Sequence, residues 1–247
     1  MKESKMRIAY MTVDDAPTSK TIQKMESFLK YNIPAIWYMK GRDLAEQIET
    51  GVEILRHGFI LGNHAWGHPY FSQIPLTKAK EEIKNTHDVL EEVYAKAGKP
   101  FIKLFRFPFG DKGLGQDALV SADPSKQAHA EALQAYLRQL GYRQPDFKGV
   151  TYEWYNRLGL GTERWADSYW TFQFKEWLVF TSQTSEAEVM SFMDRDEPEM
   201  MFGLNSGTSA EILLLHDHPE TNYLWDKLLA KLMTKGFVFK LPDLPQP

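Results

Sequence analysis

Ile8-Ala9-Tyr10-Met11-Thr12-Val13-Asp14-Asp15 is the stretch on which the reading of the fold turns. A short apolar run ends in two acids, and Ala16-Pro17-Thr18 then opens a helix whose period carries to about residue 30. The unit of strand, loop and helix recurs. Residues 35–39 (AIWYM) lead through Gly41 to a helical stretch over 43–56, and residues 59–61 end at Gly62-Asn63-His64. Further on, helical periods cover 77–97, 125–140, 186–193 and 223–235, while strand-like runs cover 103–105, 169–174, 212–215 and 237–240. This alternation predicts an α/β architecture with a mostly parallel sheet. Residues 141–162 show no clean period and read as loop plus a short strand.

The acids, His and Arg of interest fall repeatedly just after a strand, the edge that forms the active face of a β/α barrel. A chain of 247 residues fits one domain, with residues 6–240 as its core and 242–247 as a loose tail. Hydrophobic residues at 43%, with seven Trp, supply enough apolar surface for a sizeable interior. The 29 basic and 33 acidic residues give a net charge of −4 without a long basic run, which argues against a nucleic-acid partner. Nothing approaches the roughly 18 consecutive apolar residues of a membrane span. Residues 1–7 are polar and lack an apolar leader, so the chain reads as cytoplasmic as it stands, or extracellular if a leader has been removed. The oligomeric state is not legible.

Zero cysteines exclude disulfides, thiolate catalysis and Cys-ligated zinc, leaving His and carboxylates as the strong metal ligands. In His64-Ala65-Trp66-Gly67-His68 two imidazoles four positions apart face the same way if the segment makes one helical turn. Asp14 or Asp15 could add a carboxylate, giving an open two-His, one-carboxylate site. Taken alone, the histidines also fit a polar loop, and the acids also fit an ordinary turn into a helix. His57, His87 and His129 lie in or beside helical stretches and read as solvated. Tyr70, Phe71, Trp165, Tyr169 and Trp170 read equally as sugar-stacking or packing aromatics.

Five segments in order change the balance: Thr12-Val13-Asp14-Asp15, His64-Ala65-Trp66-Gly67-His68, Arg106-Phe107-Pro108-Phe109-Gly110, Gln173-Phe174-Lys175-Glu176-Trp177 and Leu214-Leu215-His216-Asp217. Together they resemble the five motifs of the polysaccharide deacetylase family, carbohydrate esterase family four, across nearly the whole chain. The resemblance implies a distorted, incomplete β/α (TIM-like) barrel and a metal-dependent hydrolase that removes an acetyl group, N-acetyl ahead of O-acetyl, from a carbohydrate through metal-bound water. It implies a divalent metal, zinc first with cobalt or nickel as alternatives, held by Asp15, His64 and His68. Asp14 would be the base, His216 the acid, and Phe109 the backbone donor to the oxyanion. Arg106 would orient the base and itself be held by Glu176, while Trp177 and Leu214 would face the substrate.

Three residues depart from the family pattern. Gln173 stands for an acid, Glu176 for an Asp, and Ala65 for the Ser or Thr after the first metal histidine. The first two bear on the charges around Arg106, and the third removes a hydroxyl that would brace the metal loop. Two further readings remain at this point: hydrolysis of a small, for example cyclic, amide on the same scaffold, and a catalytically weak carbohydrate-binding protein. His218 is given no catalytic role, and Asp217 reads as a partner for nearby backbone.

Overall fold

Alternation along the first strand divides the molecule into an outer layer and an interior. In the computed structural model, which describes residues 7–115, 119–195, 204–205 and 208–246, β1 (Arg7–Ala16) sends Ala9, Met11 and Val13 into the main apolar core and Tyr10, Thr12 and Asp14 to the opposite face. The polar lead-in before residue 7 and Pro247 lie outside the described residues. After α1 (Thr21–Lys30), β2 (Ala35–Met39) repeats the alternation, with Trp37 and Met39 outward and Ile36 and Tyr38 inward. There follow α2 (Gly41–Glu46), α3 (Ile48–Arg56), β3 (Ile60–Asn63), α4 (Leu76–Ala97), α5 (Pro124–Gln139), α6 (Glu153–Arg157) and β4 (Phe172–Gln173). The chain closes with α7 (Trp177–Phe180), α8 (Glu186–Phe192), β5 (Glu211–His216), α9 (Asn222–Met233) and β6 (Phe237–Phe239).

The strands are parallel in the order β3-β2-β1-β5-β4, with β6 beside the start of β1. Strands covered on both faces carry near-continuous apolar runs, which is why residues 35–39 and 212–215 contain no polar break. From β3 round to β5 the circuit is carried by single backbone contacts. Asn63 N donates to Leu104 O (2.8 Å), Arg106 N to Asn63 O (3.0 Å), Ser168 N to Phe105 O (2.9 Å) and Thr171 N to Ile212 O (2.9 Å). The sheet is therefore a barrel with a thin, irregular side, the distorted and incomplete form that the motifs imply. Outside it, Trp37 stacks with Trp225 of α9 (6.1 Å between centroids) and meets Phe28 of α1 edge-on (5.6 Å), welding two helices to the sheet. Full burial of each such ring contributes on the order of 2–3 kcal/mol.

Several boundaries move. The helix over 43–56 is two helices, because Gln47 (φ −133°, ψ 44°) ends one and begins the next. The run 103–105 keeps one bridge, Phe105 to Asn63, since Pro100 and Pro108 bracket it and proline cannot donate to a ladder. The run 169–174 pairs over two residues only. Residues 141–162 hold α6 in place of the expected strand, and its Trp154 and Tyr155 are buried in the interior cluster with Tyr10 and Leu214, a tertiary cause that local periodicity does not carry. The tail is docked over its described part: Asp146 and Asp243 exchange backbone bonds (2.9 and 3.2 Å), and Leu244 packs against Ile36, Tyr38 and Leu104. His87 is buried with Nδ1 3.1 Å from the Tyr142 hydroxyl, and His129 Nε2 lies 3.0 Å from Phe71 O, so neither is simply solvated; His57 is exposed. No helix of the described residues is long and apolar enough to cross a membrane.

Candidate metal centre and active site

Successive residues of a regular strand point to opposite faces, so Asp14 and Asp15 cannot both reach one site from an undistorted β1. The strand resolves this with a bulge. Its register against β2 runs Val13 to Trp37 and then Ala16 to Met39, three residues against two, and Asp15 takes φ 68°. The extra residue re-aims Asp15 toward the side that Asp14 already faces.

His64 follows β3, its N–H donating to Met39 O (2.9 Å). The segment from His64 to His68 does not make the helical turn that would align the two rings by spacing alone; Ala65 (φ 64°) and His68 (φ 58°) are left-handed, and the loop folds back on itself. Three clamps hold it. Asn63 Oδ1 accepts from Ala65 N (2.9 Å), Glu82 Oε2 from Gly67 N (2.6 Å), and the first N–H groups of α2 donate to Ala65 O and Trp66 O (2.9 and 3.2 Å). The brace lost with a hydroxyl at position 65 is thus supplied by Asn63 and Glu82. Of seven non-glycine residues with positive φ among those described, Asp15, Ala65, His68, Phe109 and Lys175 belong to the five motif segments, each at a cost of about 1–3 kcal/mol that the surrounding packing must offset.

His68 Nε2 lies 2.9 Å from Asp15 Oδ1, and His64 Nε2 lies 3.8 Å from the same oxygen. One ligand atom from each of the three residues falls within 4.8 Å of the others. His64 Nδ1 is 2.8 Å from Arg106 O; a carbonyl can only accept, so Nδ1 carries the proton and Nε2 presents its lone pair. Burial holds His64 at about 4, neutral as a ligand must be. Burial alone would raise Asp15, but neighbouring His68, then the charges of His64 and His216, keep it well below the usual carboxylate range. Its Oδ1 is buried, with His68 Nε2 at 2.9 Å as its near neighbour. An anionic oxygen beside the Nε2 atoms of two histidines is a set that fits a divalent cation once both nitrogens present lone pairs, as His64 already does. A second cluster, His87, Asp88 and Glu91 on α4, has its last two members exposed, and Asp88 is already paired with Lys84 (2.6 Å).

Arg106 is fully buried rather than a surface ion pair. Its Nη1 donates to Asp14 Oδ1 (2.9 Å) and Thr12 Oγ1 (2.8 Å), and its guanidinium lies 4.3 Å from the centre of the Tyr38 ring. Sequence reasoning missed Thr12, although its place two residues before Asp14 puts it on the same face. Phe109 (φ 58°) sits at the crest of a tight turn in which Gly110 N bonds Phe107 O, and its ring stacks on Tyr70 (3.9 Å) and edges His68 (4.5 Å).

Glu176 corrects the expectation made for it. Its Oε1 accepts from the backbone N–H of His216 and lies 3.2 Å from His216 Nδ1, and no bond to Arg106 is formed among the described residues. Register explains the choice: Gln173 pairs with Leu214, so the chain three residues on arrives beside the end of β5. Burial lowers the His216 pKa, but the Glu176 carboxylate more than reverses this, with Asp15 and Asp14 adding, and brings it to about 9. Leu214 is buried in the interior beside Thr12, and Trp177 is half-buried at the start of α7.

Asp217 is structural, but its partners are chiefly distant side chains rather than nearby backbone: it accepts from Thr18 N (3.2 Å), Thr18 Oγ1 (3.1 Å) and Thr21 Oγ1, and pairs with buried Lys24 (2.9 Å). Lys24 was missed, yet it lies on the apolar face of α1 with Thr21, Met25 and Phe28, where a lysine signals a buried partner. His218, passed over in the sequence, has Nε2 3.4 Å from Asp15 Oδ2. Phe71, Trp165, Tyr169 and Trp170 are buried packing residues; Tyr70 is half-buried.

The family model described as polysaccharide deacetylase matches residues 2–144, more than half of the chain. The chain belongs to the polysaccharide deacetylase family. Metal dependence is general in that family, in keeping with the group formed by Asp15, His64 and His68. Among curated relatives, peptidoglycan-N-acetylmuramic acid deacetylase PdaC of Bacillus subtilis (strain 168) is 30% identical over 88 residues, 35% of this chain and 19% of the relative. The alignments to the first curated relatives span 19–40% of their own length. Among solved structures, a family 4 carbohydrate esterase from Streptomyces lividans in complex with acetate superposes with a TM-score of 0.61 at 17% identity, covering 95% of this chain and 92% of the other. A family pseudoenzyme from Bacillus anthracis, BA3943, superposes at 0.59 with 14% identity, covering 95% and 63%.

Proposed function

We propose that this polysaccharide deacetylase family member is a metal-dependent hydrolase that removes an acetyl group from a carbohydrate, N-acetyl ahead of O-acetyl. The convergence of Asp14, Asp15, His64, His68 and His216 at one mouth of the barrel carries this reading. Asp15 through a carboxylate oxygen and His64 and His68 through Nε2 would hold the cation; zinc suits this set, and cobalt or nickel fit it nearly as well. A divalent ion supplies Lewis acidity there, making a water more acidic and polarising an acyl oxygen.

The remaining work falls to the chain's own groups. Asp14 accepts the proton of the attacking water, with Arg106 Nη1 fixing its rotation at 2.9 Å. The Phe109 N–H, held at the crest of its turn, donates to the oxygen on which charge develops. His216 starts protonated at neutral pH because Glu176 stabilises its cation, so it can hand a proton to the departing nitrogen. Trp177 and Leu214 are assigned to the walls around the acetyl group. Relatives named as peptidoglycan deacetylases support an N-acetylated amino-sugar glycan as substrate class.

A catalytically weak carbohydrate binder is the second reading, favoured by Gln173 in place of an acid of the family pattern near Arg106, whose Nε and Nη2 are buried without hydrogen-bond partners. Acetate release from chitin oligomers, peptidoglycan fragments and acetylated xylan, with added zinc and with chelator, separates the two. Chelator-sensitive release is the expected outcome. Binding of glycan with no release under any metal overturns the enzyme reading.

A further inference from the structure

The Asp15 carboxylate has two ends, and they face different histidines. Oδ1 looks toward His68 and His64 at 2.9 and 3.8 Å, whereas Oδ2 looks toward His218 Nε2 at 3.4 Å. The tight group of ligand atoms among the described residues stops at Asp15, His64 and His68, so His218 is outside the cluster that could share one ion.

The backbone of His218 is firmly held. Its carbonyl accepts from Lys24 Nζ (2.8 Å), Thr221 N (3.1 Å) and Thr221 Oγ1 (3.0 Å), and its N–H donates to His216 O (3.0 Å). The ring lies nearly parallel to that of His216 (5.7 Å, 18°) and against Phe180 (5.3 Å), with 29% of the side chain exposed. An imidazole fixed in this way beside a carboxylate on a bulged, left-handed residue can set the rotation of that carboxylate.

We propose that His218 is a positioning residue of the metal centre: its Nε2–H donates to Asp15 Oδ2 and so turns Oδ1 toward the cation shared with His64 and His68. The proposal rests on the reading that those three residues hold a metal. At 3.4 Å the contact is longer than a normal N–H···O bond, and such bonds commonly tighten only when a site is loaded. Outer partners of metal ligands contribute about 10–100-fold in metal affinity. The benefit here is pre-organisation: a carboxylate already turned loses less freedom when it binds.

The test is the zinc dissociation constant, measured by competition with a chromogenic chelator, for the wild type, His64→Ala, His218→Phe and His218→Gln. Unfolding midpoints in excess chelator serve as the control for fold. His218→Phe, which keeps an aromatic ring against Phe180 but has no donor, weakens zinc by about 10–100-fold. His218→Gln, with an N–H at similar reach, recovers most of that loss. His218→Asn, too short to reach Asp15, is the second loss variant should phenylalanine lower the metal-free midpoint. Zinc binding by both loss variants that matches the wild type overturns the proposal, as does a glutamine variant no better than they are. If the wild type binds no more zinc than His64→Ala, the metal-centre reading falls and takes this inference with it.

Discussion

Two buried carboxylates, one at each end of the barrel, leave their usual range in opposite directions. Asp15, at the mouth, is held well below it, because His68 and then the charges of His64 and His216 outweigh burial. Glu211, at the opposite end of β5 from His216, is pushed up to about 7, because burial outweighs its bonds to Tyr152, Thr171 and Arg7. Both Glu211 oxygens are bonded: Oε1 accepts from Arg7 Nη2 (3.2 Å) and the Tyr152 hydroxyl, and Oε2 from Thr171 Oγ1 (2.8 Å). At the mouth, by contrast, Asp15 Oδ1, Arg106 Nε and Nη2, and Glu176 Oε2 are buried with no hydrogen-bond partner. At the foot the Glu211 carboxylate itself is fully bonded and links the starts of β1 and β5, although Arg7 Nε, Trp154 Nε1 and Tyr155 Oη around it are buried without partners. What distinguishes the mouth is that its unpaired acceptor, Asp15 Oδ1, lies in the Asp15, His64 and His68 group that could hold a cation.

The sharpest way to break this contrast is to remove the metal ligands. His64→Ala or His68→Ala, or chelation of the wild type, takes acetate release to background, and zinc, cobalt or nickel restores only the chelated wild type. Asp14→Asn comes next, lowering kcat by roughly 10²–10⁴-fold with zinc affinity little changed. A fully active Asp14→Asn enzyme would remove the assigned base. Arg106→Met leaves Asp14 buried without its cation and lowers unfolding stability by about 3–5 kcal/mol in a urea titration.

Glu176→Gln acts on the pH profile. His216 is raised to about 9, so kcat/KM holds to that pH and falls above it as the acid loses its proton. Without the Glu176 charge, the descent moves down toward the ordinary histidine value of about 6.5. An unmoved alkaline limb assigns it to another group.

The smallest effect belongs to the foot. Glu211 binds its proton more tightly folded than unfolded, so its contribution to stability is greatest below the ordinary 4.5 and is lost as pH rises to about 7. Glu211→Gln removes that slope, on the order of 3 kcal/mol across the interval, in unfolding measured at a series of pH values. A slope that persists in the variant would show that other groups produce it.

Much of the site was legible because the chemistry is concentrated in short segments. Asp14-Asp15, His64 to His68, Arg106 and His216 each follow a run that reads as strand, although the run before Arg106 survives in the structure as a single bridge at Phe105. Glu176 was noticed but given the wrong partner, since only the β4–β5 register brings it to His216. His218 and Lys24 were passed over because their partners, Asp15 and Asp217, lie about two hundred residues away in the chain. The helix α6 was misread because its aromatic residues answer to the interior of the barrel rather than to a local period.

By itself the sequence determined the alternation of strand and helix, the absence of thiol chemistry and the identity of the groups that could bind a cation. These depend on residue type and local period. Only the tertiary structure decided which oxygen faces which imidazole. That choice depends on one inserted residue in β1, on left-handed turns at Ala65 and His68 and on strand register, and a slip of one residue in any strand turns its side chains to the other face.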